Sequence, residues 1–138
     1  MKRVDVVAGI IFNSQRTHVL LALRKPDQHQ GNRWEFPGGK IEPDETQEEA
    51  LKRELLEEIN LSVESCTHRQ TLEHHYTDKH VRLHFRDVTA FTGTPRGCEG
   101  QQLDWVALED LADLSFPEAN QPIVDALVNL SGAATRRL

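Results

Sequence analysis

A chain of 138 residues with 38% hydrophobic content carries enough material for one self-sufficient core. Its formal net charge of −6 argues against DNA or another polyanion as a direct partner, although a small phosphate compound can still arrive as its metal complex. No apolar run reaches membrane-spanning length and the start MKRVDVVAGIIFN lacks a signal-peptide cleavage site, so no membrane association and a cytoplasmic location are expected, with Cys66 and Cys98 as two free thiols.

In chain order, residues 4–12 and 19–23 read as β-strands separated by the turn-like Asn13-Ser14-Gln15-Arg16. The first holds the run VVAGII, which predicts a central strand covered on both faces. A polar loop over 25–33 leads to Trp34-Glu35-Phe36, a Pro37-Gly38-Gly39 turn and then an acidic helix. Residues 67–76 are mixed, with a strand expected at one end. Residues 80–86 alternate, with Val81, Leu83 and Phe85 on one face and His80, Arg82 and His84 on the other, the pattern of a half-buried strand. The apolar phase shifts at Val88, Ala90 and Phe91, which suggests a bulge or bend. A glycine-containing loop over 93–102, a short strand over 103–106, a short helix over 108–114 and a closing helix striped by Ile123, Val124, Leu127 and Val128 complete the order. Strands, helix, strands, helices suggest an α/β sandwich around a mixed sheet, as one domain over 1–130 followed by a short tail over 131–138.

The acidic helix is the most informative segment. Thr46 with Glu49 three residues later forms a capping box, and Asn60 is a plausible stop because asparagine tolerates the left-handed conformation. At 100° per residue, Glu54, Glu57 and Glu58 fall within an arc of about 100°. Leu51, Leu55, Leu56 and Ile59 sweep the adjoining side, which must be buried. The like charges repel, and Arg53 can bridge Glu49 or Glu57 but cannot neutralise three acids. A hard cation such as Mg2+, bound through oxygen and bridging to phosphate, removes the conflict, and the Gly39 carbonyl can join the ligands. Taken alone, a pair of adjacent glutamates is more often a solvated surface; the glycine pair and the offset Glu45 reverse that judgement here.

Residues 39–61, GKIEPDETQEEALKRELLEEINL, resemble the Nudix box, G-x5-E-x7-R-E-U-x-E-E-x-G-U with U a bulky aliphatic, departing from it only at Asn60 where the pattern has glycine. The resemblance implies the Nudix fold, an α/β/α sandwich with a mixed β-sheet, and hydrolysis of the pyrophosphate linkage in a nucleotide with Mg2+ as cofactor and Mn2+ as its substitute. It implies Gly39, Glu54, Glu57 and Glu58 as metal ligands, with Arg53 orienting the glutamates. Glu54, Glu45 and Glu99 remain the candidates for general base, Glu54 first. From its loop alone Glu99 is an ordinary carboxylate; the resemblance makes it a metal ligand or base.

Further stretches, WEFPGGKIE at 34–42, DKHV at 78–81, CEGQ at 98–101 and FPEANQP at 116–122, are similar to the MutT-like branch of that family, which acts on 8-oxo-dGTP. That resemblance places Asn120 on the oxidised base. An asparagine amide offers one acceptor for the N7–H of 8-oxoguanine and one donor for its O6, whereas ordinary guanine presents two acceptors there. The competing reading is that Asn120 only caps the helix that Pro122 opens. By the same resemblance Arg24, His29 and Phe36 line a nucleotide pocket, with Tyr76 and Lys79 near the base. Nudix enzymes that act on CTP or other pyrimidine nucleotides share the phrase around residues 34–45, and a non-catalytic nucleotide-binding Nudix domain is the reading from another class. A small-molecule nucleotide is the expected partner, and a monomer or weak dimer the expected state. A shared zinc ion is disfavoured, since His80 and His84 stand about 13 Å apart along one strand face.

Overall fold

The computed structural model describes residues 3–28 and 31–131. The expected tail from residue 132 onward, and His29, lie outside the described residues. Strand β1 (Arg3–Ile11) runs parallel to β6 (His80–Thr92) and antiparallel to β4 (Gly38–Lys40), and β5 (Ser62–His75) closes a mixed four-stranded sheet in the order β4-β1-β6-β5. A second, antiparallel sheet orders β3 (Trp34–Glu35), β2 (His18–Leu23) and β7 (Leu103–Ala107) as β3-β2-β7.

The apolar run in β1 is covered on both faces, as expected. Successive side chains of a strand point to opposite sides. Val7 and Ile11 therefore join Leu20, Val63 and Val88 against helix α1 (Gln47–Ile59), while Ala8, Ile10 and Phe12 join Phe36, Phe85 and helix α2 (Gln121–Leu130). The two helices thus flank the sheets from opposite sides, giving the α/β/α sandwich. Burying Leu51, Leu55 and Ile59 of α1 contributes about 1.5–3 kcal/mol for each side chain.

Helix α1 begins where its capping box predicts. The Thr46 hydroxyl accepts from the Glu49 N–H at 3.1 Å and the Glu49 carboxylate accepts from the Thr46 N–H at 2.9 Å. It ends at Asn60, whose φ of 60° and ψ of 37° are left-handed. Leu56 is a correction: it is 53% exposed rather than buried, because Ala50 completes the core-facing stripe and leaves Leu56 on its outer margin.

Three further elements differ from expectation. Gly38 and Gly39 form a strand, β4, instead of a turn, and glycine is required there by close approach. A Cβ on Gly38 would stand 2.0 Å from the Val7 carbonyl oxygen of β1. Strand β5 spans Ser62–His75 without a break, its polar sequence overridden by pairing along β6. The expected irregularity near residues 88–91 is present, since Ser65 and Cys66 pair with Ala90 and Val88 and leave Thr89 without a partner in the ladder. Finally, His84 is buried. Its Nδ1 lies 3.1 Å from Gln47 Nε2 and 3.0 Å from the Thr71 hydroxyl, and its Nε2 lies 3.2 Å from Asp5. Because Gln47 Oε1 accepts from Arg86 at 3.2 Å, the Gln47 amide must donate to His84 Nδ1, which fixes the proton on Nε2, donated to Asp5.

Asn60 replaces the glycine of the box at a position where backbone strain decides stability, and its Nδ2 also donates to the Thr94 carbonyl at 3.3 Å. Asn60→Gly is expected to stay within about 1 kcal/mol of the parent, whereas Asn60→Val should lose about 2 kcal/mol from the left-handed backbone alone. Urea unfolding of the two variants measures this, and equal stability would refute the assignment of strain.

Candidate active site

A cavity of about 370 Å³ opens where the chain leaves one sheet for the other, between β3 and β4. Phe36 and Pro37 cross that gap, and residues from β1, β4 and β6 line one side of it. The cavity brings together Arg24, Phe36 and Gly39 with Glu58 at the end of α1. Tyr76 and Lys79, from the end of β5 and the turn after it, and Asn120, at the start of α2, complete the set of expected residues on its wall. A smaller cavity of about 70 Å³ holds Glu99 together with Glu58 and Glu35. Glu45, Arg53, Glu54 and Glu57 stand behind this wall, on and before α1.

Arg53 organises that rear rank. It donates from Nε to Glu45 Oε2 at 2.6 Å, from Nη2 to Glu45 Oε1 at 2.8 Å, from Nη1 to Glu54 Oε1 at 2.8 Å and from Nη2 to the Lys40 carbonyl at 3.1 Å. Glu57 lies farther off, at 3.7 Å. The guanidinium thus bridges the loop before α1 to Glu54, and not to Glu49 as its helical spacing allowed, because Glu49 is engaged in the capping box. Hydrogen bonds from Arg53, then from the Glu42 backbone, hold the Glu45 carboxyl down at about 2. Hydrogen bonds to Glu45 and then Glu54 raise Arg53 above the ordinary guanidinium range. Glu54 also rests on Gly39: a Cβ there would stand 2.3 Å from Glu54 Oε2, so only glycine lets the carboxylate approach β4 this closely.

The front rank behaves differently. Burial first, and then the charges of Glu54, Glu99, Glu35 and Glu57, push the Glu58 carboxyl up to about 8. Burial also raises Glu35, against the pull of its partner Arg24. Among the described residues, no three acidic, histidine or cysteine side chains already close into a cage around one point. The donor set nonetheless suits a hard divalent ion, because it is all oxygen, and because a cation would oppose the burial and the neighbouring charges that together raise Glu58. Gly39, Glu54, Glu57, Glu58 and Glu99 are the residues that can hold it.

Asn120, also on the cavity wall, is only 9% exposed and occupies the residue before α2, yet its side chain does not cap the helix. Among the described residues its Nδ2 reaches only the Pro117 carbonyl, at 3.5 Å, which is long for such a bond. Pro122 sits in the first turn as expected. Phe36 stacks on Phe116 at 5.6 Å in the core and also lines the cavity. Burial raises the Tyr76 hydroxyl above the ordinary phenol value. Sequence reasoning missed Glu35, a carboxylate that borders both cavities as Glu58 does. Strand alternation pointed it away from Phe36, but β3 ends at Glu35, so the alternation stops there.

The raised Glu58 makes a signed prediction for metal-free protein. Its folded-state value of about 8 lies above the ordinary 4.5, so its contribution to stability is present below about 4.5 and lost as pH rises through about 8. Metal-free Glu58→Gln should therefore be more stable than the parent near pH 8–9 and lose that advantage toward pH 5. Thermal unfolding in EDTA across this range checks it, and an offset independent of pH would contradict it.

The chain matches the NUDIX domain family over residues 7–126. It is 38% identical over 130 residues to the 8-oxo-dGTP diphosphatase of Escherichia coli strain K12, covering 94% of this chain and 100% of that protein. It is 35% identical over 133 residues to the CTP pyrophosphohydrolase of the same organism, covering 96% of this chain and 97% of that one. A solved MutT from a study of the Aliivibrio salmonicida and Vibrio cholerae proteins superposes with a TM-score of 0.83 at 43% identity, covering 94% and 99% of the two chains. With a family match over residues 7–126 and relatives matched over nearly their whole length, the chain belongs to the Nudix hydrolase family.

Proposed function

We propose that this protein is a Mg2+-dependent pyrophosphohydrolase that converts 8-oxo-dGTP to its monophosphate and pyrophosphate, clearing oxidised purine nucleotides from the precursor pool. The observation that carries the choice of base is Asn120, buried on the cavity wall with its amide unused for capping. Of the residues assigned to the metal, Glu58 and Gly39 line the same cavity as Asn120. A nucleotide lying along it puts its base on Asn120 and its phosphates toward the glutamates.

Bound Mg2+ would neutralise phosphate charge and lower the pKa of a water molecule. Gly39, Glu54, Glu57, Glu58 and Glu99 are assigned to hold it. Glu54 is the first candidate for general base, since Arg53 fixes one of its oxygens and thereby orients the other. Glu45 has its oxygens engaged by Arg53 and by the Glu42 N–H, so we assign Glu45 and Arg53 to positioning Glu54 and not to proton transfer. Arg24, Phe36, Tyr76 and Lys79 shape the nucleotide end, and His29 is assigned there by resemblance alone.

The second reading keeps the chemistry and changes the base to cytosine, favoured by the CTP pyrophosphohydrolase relative. A turnover panel of 8-oxo-dGTP, dGTP, CTP and dCTP with Mg2+ decides between them. The proposal expects 8-oxo-dGTP to be preferred, and turnover no faster than that of dGTP would reject it. Asn120→Ala should reduce the preference for 8-oxo-dGTP over dGTP by roughly tenfold to a hundredfold, the worth of one unpaired buried group. Glu54→Gln should lower kcat by roughly 10²–10⁴ on every substrate while leaving that preference intact.

A further inference from the structure

Glu99 stands on an exposed loop 41 residues beyond Glu58 in sequence, and something must hold it at the acidic end of the cavity. The loop folds over residues 97–100 into a turn closed by the Gly100 N–H on the Gly97 carbonyl at 3.0 Å, with Gly100 at a φ of 79°. Gly97 is pressed against residue 101, since a Cβ there would meet the Gln101 carbonyl oxygen at 2.0 Å. The half-buried Gln101 side chain then makes two directed bonds. Its Oε1 accepts from the Glu99 N–H at 2.9 Å, and its Nε2 donates to the Glu58 carbonyl at 3.1 Å.

We propose that Gln101 is a positioning residue whose side-chain amide fastens the Glu99 loop to the last turn of α1, so that the Glu99 carboxylate is presented beside Glu58 for the divalent ion. The inference rests on the metal reading given above and adds to it the group that brings in the carboxylate from outside the box.

A simple helix-capping role does not account for the arrangement. The last carbonyls of a helix need partners, but four near the end of α1, Glu58 included, have them without Gln101. Leu55 and Leu56 accept from Leu61 and Asn60, Glu58 accepts from the Cys98 N–H at 2.9 Å and Ile59 accepts from the Arg96 N–H at 3.0 Å. The Gln101 bond to Glu58 is therefore a second bond to a carbonyl already satisfied. The Glu99 N–H belongs to an exposed residue that water could serve equally well. What the amide adds is a fixed separation between Glu99 and Glu58. A glutamine spans it, and a side chain one carbon shorter does not.

Direct Mn2+ binding, followed without nucleotide by the electron paramagnetic resonance of the free ion, tests this in the parent, Glu99→Gln, Gln101→Ala and the double variant. Supporting groups of this kind commonly change metal affinity by 10–100-fold. The expected result is that Glu99→Gln and Gln101→Ala each weaken Mn2+ binding about tenfold, and that the double variant binds no more weakly than Glu99→Gln alone. Unchanged affinity in Gln101→Ala, unchanged affinity in Glu99→Gln, or losses that multiply in the double variant would each overturn it. A parent protein that binds no Mn2+ would instead remove the metal reading itself, and this inference with it. Should Gln101→Ala fail to fold, Gln101→Asn keeps an amide too short for both bonds and supports the same comparison.

Discussion

Carboxylates that repel one another, held together at the end of one helix, are the constraint around which this molecule is arranged. Glu54, Glu57 and Glu58 lie on one face of α1, and Glu35 and Glu99 are added from β3 and a distant loop. Left alone, such a group would spread into water. Arg53 counters part of the repulsion by tying Glu54 to Glu45, and Gly39 lets Glu54 rest against β4 where any side chain would evict it. Burial first, and then the remaining repulsion, raise the Glu58 carboxyl, and a bound cation would oppose both.

The sandwich serves this constraint by making its backbone rigid. Strand β1 is buried on both faces and borders β4, so the Gly38-Gly39 segment is held between β1 on one side and α1 on the other. The cavity follows from the same geometry, since the chain crosses from one sheet to the other through Phe36 and Pro37 and opens a space there. The segment that begins α2 supplies part of its wall, so Glu58 and Asn120, far apart in sequence, line one cavity.

What could be read in advance depended on whether the cause was local. The capping box of α1, the left-handed Asn60 and the two-sided burial of β1 follow from neighbouring residues, and all were legible. Strand β5 was not, because SVESCTHRQTLEHH is strand only by virtue of its pairing with β6. The Gly38-Gly39 pair looked like a turn, since local chemistry cannot distinguish conformational freedom from the need for close approach. His84 followed a clean polar alternation, but Gln47, Thr71 and Asp5 satisfy it in the interior. At the site, the box glutamates and Asn120 were visible through their resemblance. Gln101 fell within the CEGQ stretch, but its bond to Glu58 was not legible, because that partner lies 43 residues away.

The most direct measurement is anomalous diffraction from crystals grown with Mn2+ and a slowly hydrolysed nucleotide analogue. The account predicts metal peaks bounded by the carboxylates of Glu54, Glu57 and Glu58 and the Gly39 carbonyl, with the base against Asn120. Peaks only elsewhere, with those glutamates turned apart into solvent, would contradict it.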